Sequence, residues 1–267
     1  MQQLVPQPFV RQAGSGPTVV CFHANASSSA QWRGLIDQLA ASYSVLAPDS
    51  YGAGKSPEWP SDRTISLDDE VRLVESLILG AADNPLLVGH SYGAAVALIA
   101  ALRHPKKVRA LALYEPTLFA LEEAAGLPPN GVDGIRNAVT LAGQALDAGD
   151  TDTAARYFID FWMGAGSWAA TPAERKPAIA KSVMNARRWR HALITEPTPL
   201  AEFGTLTMPI LYMMGGRSPE SAHAVARRLL PVLPYVTVKH FEGLGHMAPV
   251  TDPETVNAAI VEFLRSL

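Results

Sequence analysis

Gly89-His90-Ser91-Tyr92-Gly93 stands between an apolar run at residues 85–88 and an Ala-rich, helix-forming stretch that begins near Ser91. A chain that leaves a buried strand and enters a helix within so few residues has to turn sharply, and the turn projects the Ser91 hydroxyl out of the sheet. Gly89 and Gly93 permit that turn, because a side chain at either place would collide with the neighbouring strand or helix. Elsewhere, short β-branched or apolar runs alternate with longer helical patterns. That alternation predicts βαβ units, hence an α/β fold with a mostly parallel central sheet flanked by helices. Strands are expected at residues 18–22, 43–47, 85–88, 108–114, 209–213 and 235–240. Ser66 followed by Asp69 reads as a capping box, and Thr251-Asp252-Pro253-Glu254 places proline just inside the start of a final helix.

One stretch breaks the pattern. From residue 117 to 207 there are helical segments (138–146, 153–163, 173–185 and 187–194) and Pro/Gly breaks, but no strand. With 267 residues, 48% of them hydrophobic and 18% charged, the chain is long enough to bury a sizeable core. The expectation is one core domain, residues 1–116 and 208–267, carrying a helical insertion at 117–207. Tyr157, Phe158, Phe161, Trp162, Met163 and Trp168 are concentrated in that insertion, where aromatics serve as core or as the wall of a ligand site.

Charge narrows the partners. Lys and Arg number 22 against 25 Asp and Glu, a formal charge of -3, so no broad basic field is available for a phosphate backbone and nucleic acid is not an expected partner. The one basic cluster, Arg187, Arg188, Arg190 and His191 around Trp189, reads as a solvated helix face. Cys21 is the single cysteine, which excludes an intrachain disulfide and zinc sites built from several thiolates. The first fourteen residues, with Pro6 and Pro8, lack the apolar stretch of a secretory signal, and the longest uninterrupted apolar run, residues 94–102, is too short to span a bilayer. A cytoplasmic protein with no membrane partner is expected. Composition says nothing of oligomeric state.

A serine hydroxyl is a poor nucleophile at neutral pH and needs a base, so Ser91 directs attention to a histidine. His246 follows the last expected strand, on a loop between Gly245 and the final helix. At this point the chain resembles a known family, the α/β-hydrolases that carry a helical lid. The resemblance rests on Phe22-His23-Ala24-Asn25 after one strand, Asp49-Ser50-Tyr51-Gly52-Ala53-Gly54-Lys55-Ser56 after the next, the turn at Ser91, and Gly243-Leu244-Gly245-His246-Met247 near the end. Gly54-Lys55-Ser56 also invites a phosphate-loop reading. That reading fails, because the leading glycine position holds Asp49 and prolines 57 and 60 follow where a helix should begin.

The resemblance implies a Ser91–His246 pair completed by an acid. The usual place for that acid, after the strand at 209–213, reads Gly215-Gly216-Arg217-Ser218-Pro219 and holds no carboxylate. Some relatives, the haloalkane dehalogenases among them, place it after the preceding strand, where this chain has Glu115. Glu220, or a Ser–His dyad helped by Ser218, are the alternatives. Oxyanion donors are expected from the Tyr92 N–H, as the residue after the nucleophile, and by resemblance from Asn25. His23, Ala24 and Met247 on the flanking loops, with Phe158 and Trp162 from the insertion, are the candidate substrate-binding residues.

Together these imply a cofactor-independent serine hydrolase, with no metal, that cleaves a small-molecule carboxylic ester bearing an apolar acyl or aryl group. Because fold does not fix reaction, a C–C bond hydrolase, a cofactor-free perhydrolase, a lyase and a non-catalytic ligand receptor remain as alternatives. Dehalogenase and epoxide hydrolase chemistry needs a carboxylate nucleophile, and position 91 is Ser.

Overall fold

The computed structural model describes residues 6–61 and 64–267, without the side chains of residues 186 and 187. Residues 1–5 of the segment read for a secretory signal, and the Arg187 side chain of the basic cluster, thus lie outside the described residues. Seven strands form one sheet: β1 (Val10–Ala13), β2 (Thr18–Phe22), β3 (Ser44–Pro48), β4 (Leu86–His90), β5 (Ala110–Tyr114), β6 (Ile210–Gly215) and β7 (Val236–Phe241), among the described residues. Their spatial order is β1-β3-β2-β4-β5-β6-β7. β1 runs antiparallel to β3, and every other pairing is parallel. The six parallel strands are those expected, within two residues at each end. β1 was not expected: Val-Arg-Gln-Ala carries no apolar run, and the strand sits half-exposed at the edge of the sheet.

Helices α1 (Arg33–Leu39), α2 (Leu67–Leu79), α3 (Tyr92–Arg103), α10 (Glu220–Leu229) and α12 (Pro253–Arg265) accompany the strands, with a short α11 (Ala248–Thr251) before the last. Strand side chains alternate between the two faces of a sheet, and both faces are covered here. Val20, Phe22, Leu87, Leu111 and Leu113 pack with Leu67, Val71, Leu98 and Val225 from α2, α3 and α10. Val19, Cys21, Leu86, Val88 and Ala112 pack with Leu35, Leu39, Val256 and Ile260 from α1 and α12. The capping box at α2 is present in both directions: Asp69 N–H donates to Ser66 Oγ at 3.2 Å, and Ser66 N–H to the Asp69 carboxylate at 2.9 Å.

Between β5 and β6 the described residues hold no strand but six α-helices, α4 (Ala120–Glu123), α5 (Asp133–Asp147), α6 (Thr151–Met163), α7 (Ser167–Ala170), α8 (Lys176–Val183) and α9 (Ala186–Ile194), and a 3-10 helix at Leu200–Thr205. α6 begins two residues before the expected start, because the Asp150 carboxylate accepts the Thr153 N–H at 2.9 Å and caps the first turn. α8 is shorter than expected and starts beside Pro177, whose ring is tolerated only in a first helical turn. No helix among the described residues is long and apolar enough to cross a membrane.

α3 carries the largest share of this packing, since ten of its residues are buried. Truncating Leu98, which has no solvent exposure, is expected to lower the unfolding free energy by about 3 kcal/mol, measured by urea denaturation of Leu98→Ala against wild type.

Candidate active site

Ser91 is the hinge between β4 and α3, with φ 56° and ψ -117°, in the left-handed half of backbone space that a non-glycine residue occupies only at a cost. Its N–H donates to the Tyr114 carbonyl at 2.9 Å, and its own carbonyl accepts from Ala94 and Ala95, which locks the turn from both sides. The flanking glycines are obligatory. A Cβ on Gly89 would lie 2.5 Å from Ala94 Cα, and one on Gly93 would lie 2.3 Å from the Phe22 carbonyl oxygen.

The hydroxyl so presented meets a histidine. Ser91 Oγ lies 2.9 Å from His246 Nε2, and His246 Nδ1 lies 2.6 Å from Glu115 Oε2. A carboxylate accepts, so Nδ1 carries the proton in the hydrogen-bonded network and Nε2 offers its lone pair to the serine O–H. Glu115, also at positive φ (44°), follows β5 directly. Its other oxygen accepts the Gly215 N–H and the Ser218 hydroxyl, each at 2.7 Å. β5 and β6 are neighbours, so the position after one borders the position after the other. Gly215 and Ser218, in the segment after β6 that holds no carboxylate of its own, here donate to the carboxylate one strand over. Glu220 lies elsewhere: it is exposed at the start of α10 and pairs with Arg227. Ser218 contacts Glu115, not the imidazole.

The base loop is held by groups that the sequence did not single out. The Tyr114 hydroxyl donates to the Gly245 carbonyl at 2.9 Å, and His90 Nε2 to the carbonyl of His246 at 2.8 Å. Burial, with the nearby His246 ring, keeps His90 well below the ordinary histidine range, so it stays neutral and its Nδ1 accepts from the Gln31 amide at 3.1 Å. Gln31 reaches the opposite side as well, where its Oε1 accepts the Ala24 N–H at 3.1 Å. One amide thereby ties the 23–27 loop to the residue before the nucleophile. Sequence spacing gave no signal for Gln31, whose partners are 7 and 59 residues away.

Asn25 and Ala24 line a cavity of about 560 Å³ together with Ser91, His246, Trp162 and Met247. Phe158 lines it too. His23 does not, which corrects its placement among substrate-binding residues. Its Nδ1 donates to the Ala24 carbonyl at 2.7 Å and its Nε2 accepts the Ser50 N–H at 3.0 Å, so the ring braces the loop from behind. Burial lowers its pKa, in keeping with a neutral ring. Among the described residues, neither the Asn25 nor the Tyr92 backbone N–H donates to a protein acceptor. The Tyr92 side chain turns into the core and donates to Glu70 at 3.2 Å. The Trp162 indole stacks on the His246 ring, centroids 3.9 Å apart and planes at 24°. Gly54-Lys55-Ser56 wraps Asp49, with the Lys55 N–H 2.9 Å from the Asp49 carboxylate, and is absent from the cavity lining. No group of three or more His, Cys, Asp and Glu among the described residues is arranged to hold a metal ion.

Comparison with known proteins decides the family. A family model described as the alpha/beta hydrolase fold matches residues 17–253. The chain is an α/β-hydrolase. Over 96% of its length it is 28% identical to the 2-(acetamidomethylene)succinate hydrolase of Mesorhizobium japonicum, 90% of which is covered. A stretch of 110 residues, 40% of this chain and 35% of the relative, is 39% identical to the 2-hydroxymuconate semialdehyde hydrolase of a Pseudomonas species. The solved α/β hydrolase from Sphaerobacter thermophilus superposes with a TM-score of 0.68 at 25% identity, over 93% of this chain and 94% of that one.

One further group in this α/β-hydrolase is electrostatically exceptional. Glu70 on α2 is buried, and burial pushes its carboxyl up to about 8, against the lowering effect of hydrogen bonds from the Tyr51 N–H and the Tyr92 hydroxyl. An unfolded glutamate ionises far lower, so as pH rises the unfolded chain releases its proton first. This group therefore destabilises the fold increasingly from about pH 4.5 to about pH 8 and adds no penalty below that window. Glu70→Gln is expected to gain on wild type by a few kcal/mol (on the order of 2–4) between about pH 5 and about pH 8, read from urea unfolding at the two pH values.

Proposed function

We propose that this α/β-hydrolase is a serine hydrolase that cleaves carboxylic esters of small molecules through an acyl-enzyme. The observation that carries the reading is the continuous Ser91–His246–Glu115 relay, 2.9 and 2.6 Å, opening onto a cavity whose lining is mainly apolar. His246 Nε2 takes the Ser91 proton as Oγ attacks the ester carbonyl. The Asn25 and Tyr92 amides, which have no acceptor among the described residues, receive the developing oxyanion in this reading. Collapse of the tetrahedral intermediate breaks the C–O bond, and the His246 imidazolium returns the proton to the leaving alcohol. Water, deprotonated by the same imidazole, then attacks the acyl-enzyme and regenerates Ser91 with release of the acid. Glu115 holds the imidazole in the required tautomer and stabilises it when charged.

Helices α4–α9 form a lid over the reacting groups in this reading, and Phe158, Trp162 and Met247 meet the apolar part of the substrate. A cytoplasmic site of action accords with the single, buried cysteine.

A second reading has specific support. The full-length similarity is to a hydrolase named for 2-(acetamidomethylene)succinate, and a shorter one is to a hydrolase of a semialdehyde. The same serine relay serves an amide or C–C bond in place of an ester.

Two measurements separate these. A fluorophosphonate probe should label wild type and spare Ser91→Ala. On a panel of p-nitrophenyl esters, Ser91→Ala should be inactive, Glu115→Gln reduced by about 10³- to 10⁴-fold in kcat, and Glu220→Gln within about twofold of wild type, with folding checked by circular dichroism. Labelling at Ser91 without any nitrophenol release moves the assignment to the second reading. A Ser91→Ala protein as active as wild type ends both.

A further inference from the structure

Beyond the reacting groups, the cavity carries charge of one sign. Its lining includes Arg136, Arg175 and Arg190, and no Asp or Glu among the described residues. Arg136 is engaged by the protein itself: its guanidinium lies 2.5 Å from Glu123 and also bonds Asp133 and Asn130. Arg188, on the same helix as Arg190, pairs with Glu58 at 3.2 Å. Arg175 and Arg190 have no carboxylate partner among the described residues. Arg190 is half-buried and Arg175 exposed. A guanidinium beside apolar surface gives up part of its hydration without an ion pair in return, which leaves it able to gain from an incoming anion.

The cavity that these arginines share with the reacting groups is also lined by aromatic rings in series. Trp162 stacks on His246 at 3.9 Å, Phe158 lies 6.5 Å from Trp162, and Trp189 lies 6.3 Å from Phe158. Trp189 immediately precedes Arg190, and both line the cavity, so the run of rings extends from the imidazole to the helix turn that bears this arginine.

We propose that Arg175 and Arg190 form an anion-binding end of the cavity, and that the substrate is an ester whose apolar acyl chain terminates in a carboxylate. The inference rests on the reading of this protein as an ester hydrolase acting through Ser91 and adds the substrate class. The acyl side is assigned because it stays in the cavity, bonded to Ser91, after the alcohol has left. A carboxylate matches the guanidinium fork, which can offer it two parallel N–H donors.

Mono-p-nitrophenyl esters of succinate, adipate and suberate, compared with p-nitrophenyl alkanoates of equal chain length, test it. Wild type is expected to favour at least one half-ester over its neutral counterpart by about tenfold or more in kcat/KM, with the preference reduced by added salt. In Arg175→Gln/Arg190→Gln the ratio of half-ester to neutral ester should fall by about tenfold. A wild type that prefers the neutral ester throughout, or a ratio unchanged in the double variant, overturns the proposal. If neither ester class is turned over, the ester reading has failed on its own, and calorimetric titration of adipate into Ser91→Ala decides the anion end separately. Binding that disappears with the two arginines retains that end, and no binding removes it.

Discussion

Glu115 is buried to 1% exposure with its carboxylate bonded to the His246 ring, the Gly215 N–H and the Ser218 hydroxyl, and a charge held that far from water is tolerable only while all of those partners are in place. The requirement reaches outward. It demands that β6 lie next to β5 so that Gly215 meets the acid, that Gly215 remain without a side chain because a Cβ would lie 2.5 Å from the Leu244 carbonyl, and that the loop bearing His246 return to the same edge of the sheet. Tyr114 and His90 secure that return by binding the carbonyls of Gly245 and His246. The geometry at Ser91 is thus the end of a chain of constraints whose origin is one strand away.

Backbone strain falls along the same path. Three non-glycine residues adopt positive φ, Ala26, Ser91 and Glu115, among the described residues. Each lies on a loop at the C-terminal edge of the parallel sheet, where the ends of the strands release the chain from ladder hydrogen bonding and ligand sites of α/β sheets are built. Ser91 and Glu115 hold their torsions because their backbone N–H groups are captured by the adjacent strands, at Tyr114 and Met213. The sheet supplies the rigidity that keeps these residues in conformations they would otherwise leave.

The parallel strands were legible because each is a short apolar run between helices, and the turn at Ser91 because its glycines are required sterically. Glu115 was legible as a candidate through the empty position after β6 together with the resemblance to relatives that place the acid one strand earlier, and what fills the gap, a backbone N–H and a serine hydroxyl, carries no sequence signature. Gln31 and Glu70 carry no sequence signal, and His90 within the turn motif carries none for its bracing role, for a shared reason: each acts through partners brought together by the fold, and a lone polar residue in a chain says nothing of what will surround it. His23 belongs to the loop beside the site, yet its ring points behind that loop to the Ser50 N–H. β1 lacked the apolar content that marks a strand, since an edge strand half in solvent needs little of it.

The stack of Trp162 on His246 has a consequence for how such proteins can be recombined. The indole comes from α6, inside the segment between β5 and β6, while every other neighbour of the imidazole noted above comes from the sheet and its loops. The insertion is therefore not a detachable cassette. A chimera that joined this sheet to a foreign set of helices would keep the nucleophile, base and acid in register but leave one face of the base uncovered, so grafts at this junction have to carry an aromatic ring to the position that Trp162 holds.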